Sequence, residues 1–464
     1  MEEKLYSGTI YKLNSVKVDY RAEVQFDELN RGVITIHKVL PEIVEILQDR
    51  NDENVVIMRL DNGGYLSIFR AYVRQGTFSA EIIDNLPCDS TAEITIVSSS
   101  IIKGQKIFSE EDKFEKLWFE ITDGHELIGE SPYDMNSGYR DIQLYEKVEI
   151  PMKCKCISVS TILGDLDFAV MPKYWFKRDS FSIGFSHRIT FKPTKAIGFK
   201  DFNKTLPQIT DFFTLLCGEQ ITINRLSIVE EKKEGIDAYD YIGYCNFPRI
   251  SLNALNNSGI DTNNFKSISL FKLTDFPELK PALDYWFEHY EALYNAQQAY
   301  GRILLDEDTK LVTVNRYLAA MQLVEGFSQA YADEKKETAD FKKRKKAIIA
   351  LLQDEDDKKF VKSGLMMPGV TFKKAVVNYY LEGLSAFKEM TEEEFNKNYD
   401  ESVITKIVND RNFYTHSSKR ITPQLNFDEL IDIATVTKEL YRCLLLSNMG
   451  ISKELICKRF YHIA

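Results

Sequence analysis

At 464 residues the chain is too long for one compact domain, so two or three are expected. Its formal net charge of −11 argues against coating long nucleic acid through bulk electrostatics, while leaving room for a local basic patch. Hydrophobic residues at 44% suffice for filled cores, and 28% charged residues give no sign of global disorder.

The start, Met1-Glu2-Glu3-Lys4, has no apolar run behind it, so no secretory leader is expected. No stretch approaches the length of a membrane span, and a cytoplasmic protein with no membrane partner is expected. Of the seven cysteines only Cys154 and Cys156 lie close together. A lone Cys-x-Cys lacks the second ligand pair that zinc requires, so reduced, mostly buried cysteines and no metal or other cofactor are expected.

The first half reads as β. Val33-Ile34-Thr35-Ile36-His37, Val55-Val56-Ile57-Met58 and Ala92-Glu93-Ile94-Thr95-Ile96 have strand character, as do residues 114–121, 142–150, 157–162 and 181–185. Turn signals stand at Asp61-Asn62-Gly63-Gly64 and Asp123-Gly124. Many short strands with few helices predict an antiparallel sandwich or barrel, with sandwich-like packing the working expectation. One helix interrupts them, where Ile209, Phe212, Phe213 and Leu216 share a face, and strands resume at residues 221–223 and 239–244. Residues 256–264 are rich in Asn, Asp, Ser and Gly and read as a surface loop near the domain boundary.

After about Pro277 the hydrophobic period changes to 3.6. Leu283, Trp286, Phe287, Tyr290, Leu293 and Tyr294 form one stripe, and Val314, Tyr317, Leu318, Met321 and Val324 form another. A third helix candidate covers residues 342–352, and a fourth carries Phe372, Val376, Val377, Tyr380, Leu381 and Leu384. Val403, Ile404, Ile407 and Val408 then lead into a helix end at Arg411. The last helix is expected to start at Asn426, with Glu429 completing a capping box, and to stop near Gly450. The organisation is α+β in two parts: a β-rich sensing region over residues 1–265 and an all-helical domain over residues 275–464.

One constellation carries chemistry. Arg411-Asn412-Phe413-Tyr414-Thr415-His416 matches Arg-x(4–6)-His. Alone that pattern is weak, and Arg31 with His37 matches it too, inside a predicted strand. The Arg411 copy differs in lying between an amphipathic helix and a capped final helix. RNA can be cut without metal by its own 2′-hydroxyl. A histidine is suited to moving the protons near neutrality, and an arginine to holding the crowded phosphorane. Such cleavage leaves a 2′,3′-cyclic phosphate and a 5′-hydroxyl. An Arg and a His five residues apart on a continuous helix lie about 140° apart around it, so either the helix frays near Tyr414 or two chains combine.

The Arg411, Asn412 and His416 pattern, near the last helices of a bundle, resembles the HEPN superfamily. The β-rich first half joined to such a bundle resembles the ApeA family of bacterial anti-phage proteins. The resemblance implies a helical HEPN domain with catalytic Arg411, Asn412 and His416, supported by Glu325. It also implies a homodimer formed through the helical domain, and abortive infection by cleavage of host RNA, transfer RNA among the candidates. A phage protein or other trigger would act at the N-terminal region. Lys342, Lys343, Arg344, Lys345 and Lys346, with Lys419 and Arg420, are candidate RNA-backbone contacts, and a solvated helix face is the alternative. Phe413 and Tyr414 are candidate base-stacking residues, with core packing the favoured role for at least one of them. Two other functions stay open: a non-catalytic HEPN scaffold that binds nucleotide or protein, and a ligand-binding protein whose β region holds a glycan or peptide.

Overall fold

The computed structural model describes residues 5–26, 31–49, 54–79, 82–83, 86–87, 91–98, 100–109, 111–122, 124–130, 154–177, 180–221, 223–232, 235–241, 271–309, 313–331, 339–364, 371–387, 399–416 and 422–460. The chain divides into two compact units, Met1–Phe287 and Glu288–Ala464. The expected strand at 142–150 and the expected loop at 256–264 lie outside the described residues.

In the first unit the alternation of apolar and polar residues builds strands. These are β1 (Tyr6–Leu13), β2 (Val16–Phe26), β3 (Gly32–Val39), β4 (Asn54–Leu60), β5 (Tyr65–Ser79), the short pair β6 (Ile82–Ile83) and β7 (Leu86–Pro87), and β8 (Thr91–Ser98). Antiparallel pairing runs β1–β2–β3–β8–β5–β4 and returns to β1, so six strands close on themselves. Of the two closures that the sequence pattern allows, this region forms the barrel. Period-two side chains fill it: Ile10, Val24, Ile34, Ile36, Met58, Ile68, Ile94 and Ile96 are all fully buried. A helix that the sequence pattern did not reveal, Pro41–Asp49, adds Ile43, Val44 and Leu47 to the same core. Its period-3.6 signal is carried by Ile43, Val44 and Leu47 and stands between two strand-like runs.

The sheet continues beyond the barrel through β9 (Ser100–Gly104), β10 (Leu117–Ile121), β11 (Lys155–Ser160), β12 (Gly164–Lys177), β13 (Ser180–Pro193), β14 (Ile223–Lys232) and β15 (Gly235–Tyr241). Here the expected strands shift slightly. Phe114 makes only an isolated bridge to Ile197, and the strand begins at Leu117. Ile162 is exposed in the turn from Thr161 to Gly164, beyond the end of β11. Gly124 opens a short helix, Gly124–Ile128, in place of the expected turn. The Phe199–Cys217 helix buries Ile209, Phe212, Phe213 and Leu216 as their spacing predicts, with Phe213 edge-on to Phe168 of β12.

The chain from Leu279 onward is helical throughout the described elements. The expected stripes are buried in large part, but Val314, Leu318, Phe372, Val377, Val403 and Val408 are only half-buried, and Tyr294 and Leu381 face solvent. Leu381 sits in a π-helical turn, Asn378–Glu382, that interrupts the helical run between Phe372–Val377 and Gly383–Ala386. Two consecutive tyrosines of that turn, Tyr379 and Tyr380, enter the core. Tyr379 donates to the Thr437 carbonyl at 2.8 Å, and Tyr380 hydrogen-bonds the Thr437 hydroxyl. The helix expected to be the last, Phe427–Asn448, carries the expected capping box: the Asn426 side chain accepts from Glu429 N, and Glu429 accepts from Asn426 N. Gly450, at φ +95°, ends it with hydrogen bonds from Gly450 N to Ser447 O and from Ile451 N to Leu446 O. It is not the last, because a further helix, Lys453–Phe460, follows it. Arg442 lies inside the core among Leu445 and Leu446, and pairs with Glu439 at 3.0 Å.

Candidate active site

The motif lies on the helix Glu401–His416. Asp400 caps its first turn by accepting from Val403 N at 2.9 Å, and Ile404 and Ile407 turn inward. The expected helix end at Arg411 is corrected: helix continues through His416. Tyr414, seven residues beyond Ile407 on the same face, extends the packing by setting its ring edge-on to Tyr317 at 6.3 Å. Arg411 and His416 therefore stand about 140° and roughly 7.5 Å apart along one helix.

Arg411 is half-buried and held from three sides. Its Nη2 is 2.9 Å from Glu325 Oε1, its Nη1 is 3.3 Å from Asn412 Oδ1, and its guanidinium lies 4.7 Å from the centre of the Phe372 ring. These contacts fix the fork's direction, and 19% of the side chain stays exposed. Glu325 comes from the helix Thr313–Ala330, and the residue after it lets that helix approach its neighbour. A Cβ on Gly326 would stand 2.7 Å from Ala296 N of the Leu279–Thr309 helix. His416 is exposed at the last helical position.

Tyr414 is half-buried and packs on Tyr317 and on Phe413, whose ring is 5.2 Å away. Burial, and then the Asp410 carboxylate, raise its phenol above the ordinary range. Burial raises Tyr317 much further, and its hydroxyl donates to the Ile407 carbonyl at 2.7 Å. Both stay neutral phenols near pH 7, which leaves His416 as the motif side chain suited to proton transfer there.

Three neighbours escaped sequence reasoning. Phe372 and Tyr317 read as ordinary apolar-stripe residues. Asp410, fully buried, accepts from the backbone amides of Gln424 and Leu425. Its signal was available: an acidic residue three positions after Ile407, where the stripe calls for an apolar one.

The lysine-rich run sits apart on the helix Ala339–Leu351, with Lys343, Arg344 and Lys346 exposed, Lys345 half-buried, and Lys342 on the same helix. Lys419 and Arg420 lie outside the described residues. The second copy of the pattern is in the barrel: His37 projects from β3, its Nδ1 2.9 Å from Glu93 Oε2. Cys217 and Cys443 are buried, but Cys154 and Cys156 are exposed. Among the described residues no helix is long and apolar enough to cross a membrane.

An Arg–Asn pair and a histidine on one helix of a bundle, after an antiparallel β half, are the arrangement that the HEPN resemblance implies. The comparisons agree. A family model for the Apea-like HEPN domain matches residues 318–455, and one for ApeA N-terminal domain 1 matches residues 6–286. The chain belongs to the ApeA family of anti-phage proteins. Searches of curated proteins and of solved structures find no match.

Proposed function

We propose that the chain is a metal-independent endoribonuclease that acts in the cytoplasm during abortive infection and cuts host RNA, transfer RNA among its substrates. The observation that carries this reading is the pairing, in a HEPN domain, of a surface-reaching, pre-oriented Arg411 with an exposed His416 on the same helix. His416 takes the 2′-hydroxyl proton as the 2′-oxygen attacks phosphorus, and the 5′-oxygen leaves with a proton returned to it. Arg411 neutralises the phosphorane, and Asn412 orients it. No step in this chemistry calls on a metal. The products are a 2′,3′-cyclic phosphate and a 5′-hydroxyl. A substrate with a 2′-deoxy sugar at the cut position is left intact, and a chelator does not slow cleavage of the all-RNA substrate. Cleavage of both substrates at similar rates would exclude this mechanism.

The continuous helix supports a composite site. Because Arg411 and His416 point about 140° apart, a two-fold pairing of helical domains joins the Arg411 of one chain to the His416 of its partner. Mixing inactive Arg411→Ala with inactive His416→Ala then restores about a quarter of wild-type activity, because half the dimers are mixed and each has one intact site. No recovery in the mixture would place both residues in a site built by one chain.

Residues 1–265 serve, in this reading, as the region where a phage protein or other trigger acts. A glycan or peptide held inside the barrel is disfavoured by its filled interior. The non-catalytic scaffold has one observation in its favour: Glu325 already neutralises Arg411. Absence of cleavage by the wild-type protein in the presence of its trigger would decide for it.

A further inference from the structure

A carboxylate with no exposed surface is costly unless its oxygens are satisfied. Among the described residues Asp410 meets this condition through backbone amides. Its Oδ1 accepts from Gln424 N at 2.8 Å, and its Oδ2 accepts from Gln424 N at 3.1 Å and Leu425 N at 2.8 Å. The next residue, Asn426, starts the Phe427–Asn448 helix with its reciprocal cap. Asp410, six residues before the end of the motif helix, therefore ties the last turns of that helix to the segment that leads into the Phe427–Asn448 helix.

The two motif residues depend on this clasp differently. Arg411 is fixed by Glu325, Asn412 and Phe372, none of which belongs to the clasp. His416 is exposed at the final helical position, so its place follows from where the backbone of the helix end is held. Resting on the nuclease reading above, we infer that Asp410 is a positioning residue for His416: it sets the site of proton transfer without touching RNA.

The test uses Asp410→Asn and Asp410→Ala in the full chain. Asparagine keeps the shape and one acceptor oxygen but turns an NH2 toward a second amide, and alanine removes both acceptors. Three quantities are measured: the single-turnover cleavage rate, the affinity and stoichiometry for a 2′-O-methyl RNA that cannot be cut, and hydrogen exchange at Gln424 and Leu425. The expected result is a rate about 10–10²-fold lower, more so for alanine, since small misplacement of a catalytic group costs this much. Binding stoichiometry and affinity stay as in the wild type, and the two amides lose protection. In a His416→Ala background, Asp410→Asn lowers the residual rate no further. An undiminished rate overturns the inference, as does a loss matched by fewer binding sites or one that persists without His416. If the wild-type protein itself does not cut RNA, the nuclease reading fails first and the inference falls with it.

Discussion

Replacing His416 with alanine is expected to lower RNA cleavage by about 10²–10⁴-fold, the usual contribution of a positioned proton-transfer group. The same variant is expected to melt within about 2 °C of the wild type, because the side chain is exposed and its removal opens no cavity. The barrel supplies the control. His37 matches the same linear pattern but points from β3 toward Glu93, and water reaches both side chains, which are 37% and 56% exposed. Such a pair contributes little to stability. His37→Ala therefore leaves both cleavage and melting unchanged. Equal losses from the two alanine variants would remove the assignment of the site.

Arg411→Ala carries the second large effect, with two parts that can be separated. Loss of the charge facing the phosphorane lowers the rate by about 10²–10³-fold, a typical figure for removing one pre-organised group that stabilises transition-state charge. Loss of the partner leaves the Glu325 carboxylate, 31% exposed, without its guanidinium. That destabilises the helical domain by only about 1 kcal/mol, because water reaches the carboxylate. Pairing Arg411→Ala with Glu325→Gln should restore the melting temperature and leave cleavage lost. Arg411→Lys keeps a charge but not the planar fork that meets Glu325, Asn412 and the Phe372 ring together, so it recovers only part of the rate. Recovery of cleavage in the double variant would mean that Arg411 acts only through stability.

Much of this arrangement was legible in local pattern. Asn426 and Glu429 announce their helix because capping is a contact between residues three apart. The filled faces of Val33–Ile36 and of Phe212, Phe213 and Leu216 follow from periods of two and about 3.6. Barrel closure was not legible, since it depends on β5 pairing with both β4 and β8, partners that no local period identifies. The helix end was misplaced for a related reason. Polar residues from Asp410 to Asn412 suggest a stop, but buried hydrogen bonds at Asp410 and the Tyr414–Tyr317 contact carry the helix on to His416. The residues of the site itself were found through the Arg411–His416 spacing. What holds Arg411 comes from residues 372 and 325, too far along the chain for spacing alone to link them.

The most direct measurement is to incubate the purified full-length protein, with its trigger, with bulk cellular RNA in EDTA and to identify the new ends. Wild-type protein should generate 2′,3′-cyclic phosphate and 5′-hydroxyl ends, and His416→Ala should generate neither. Ends bearing a 5′-phosphate, activity abolished by EDTA, or full activity in His416→Ala would contradict the account.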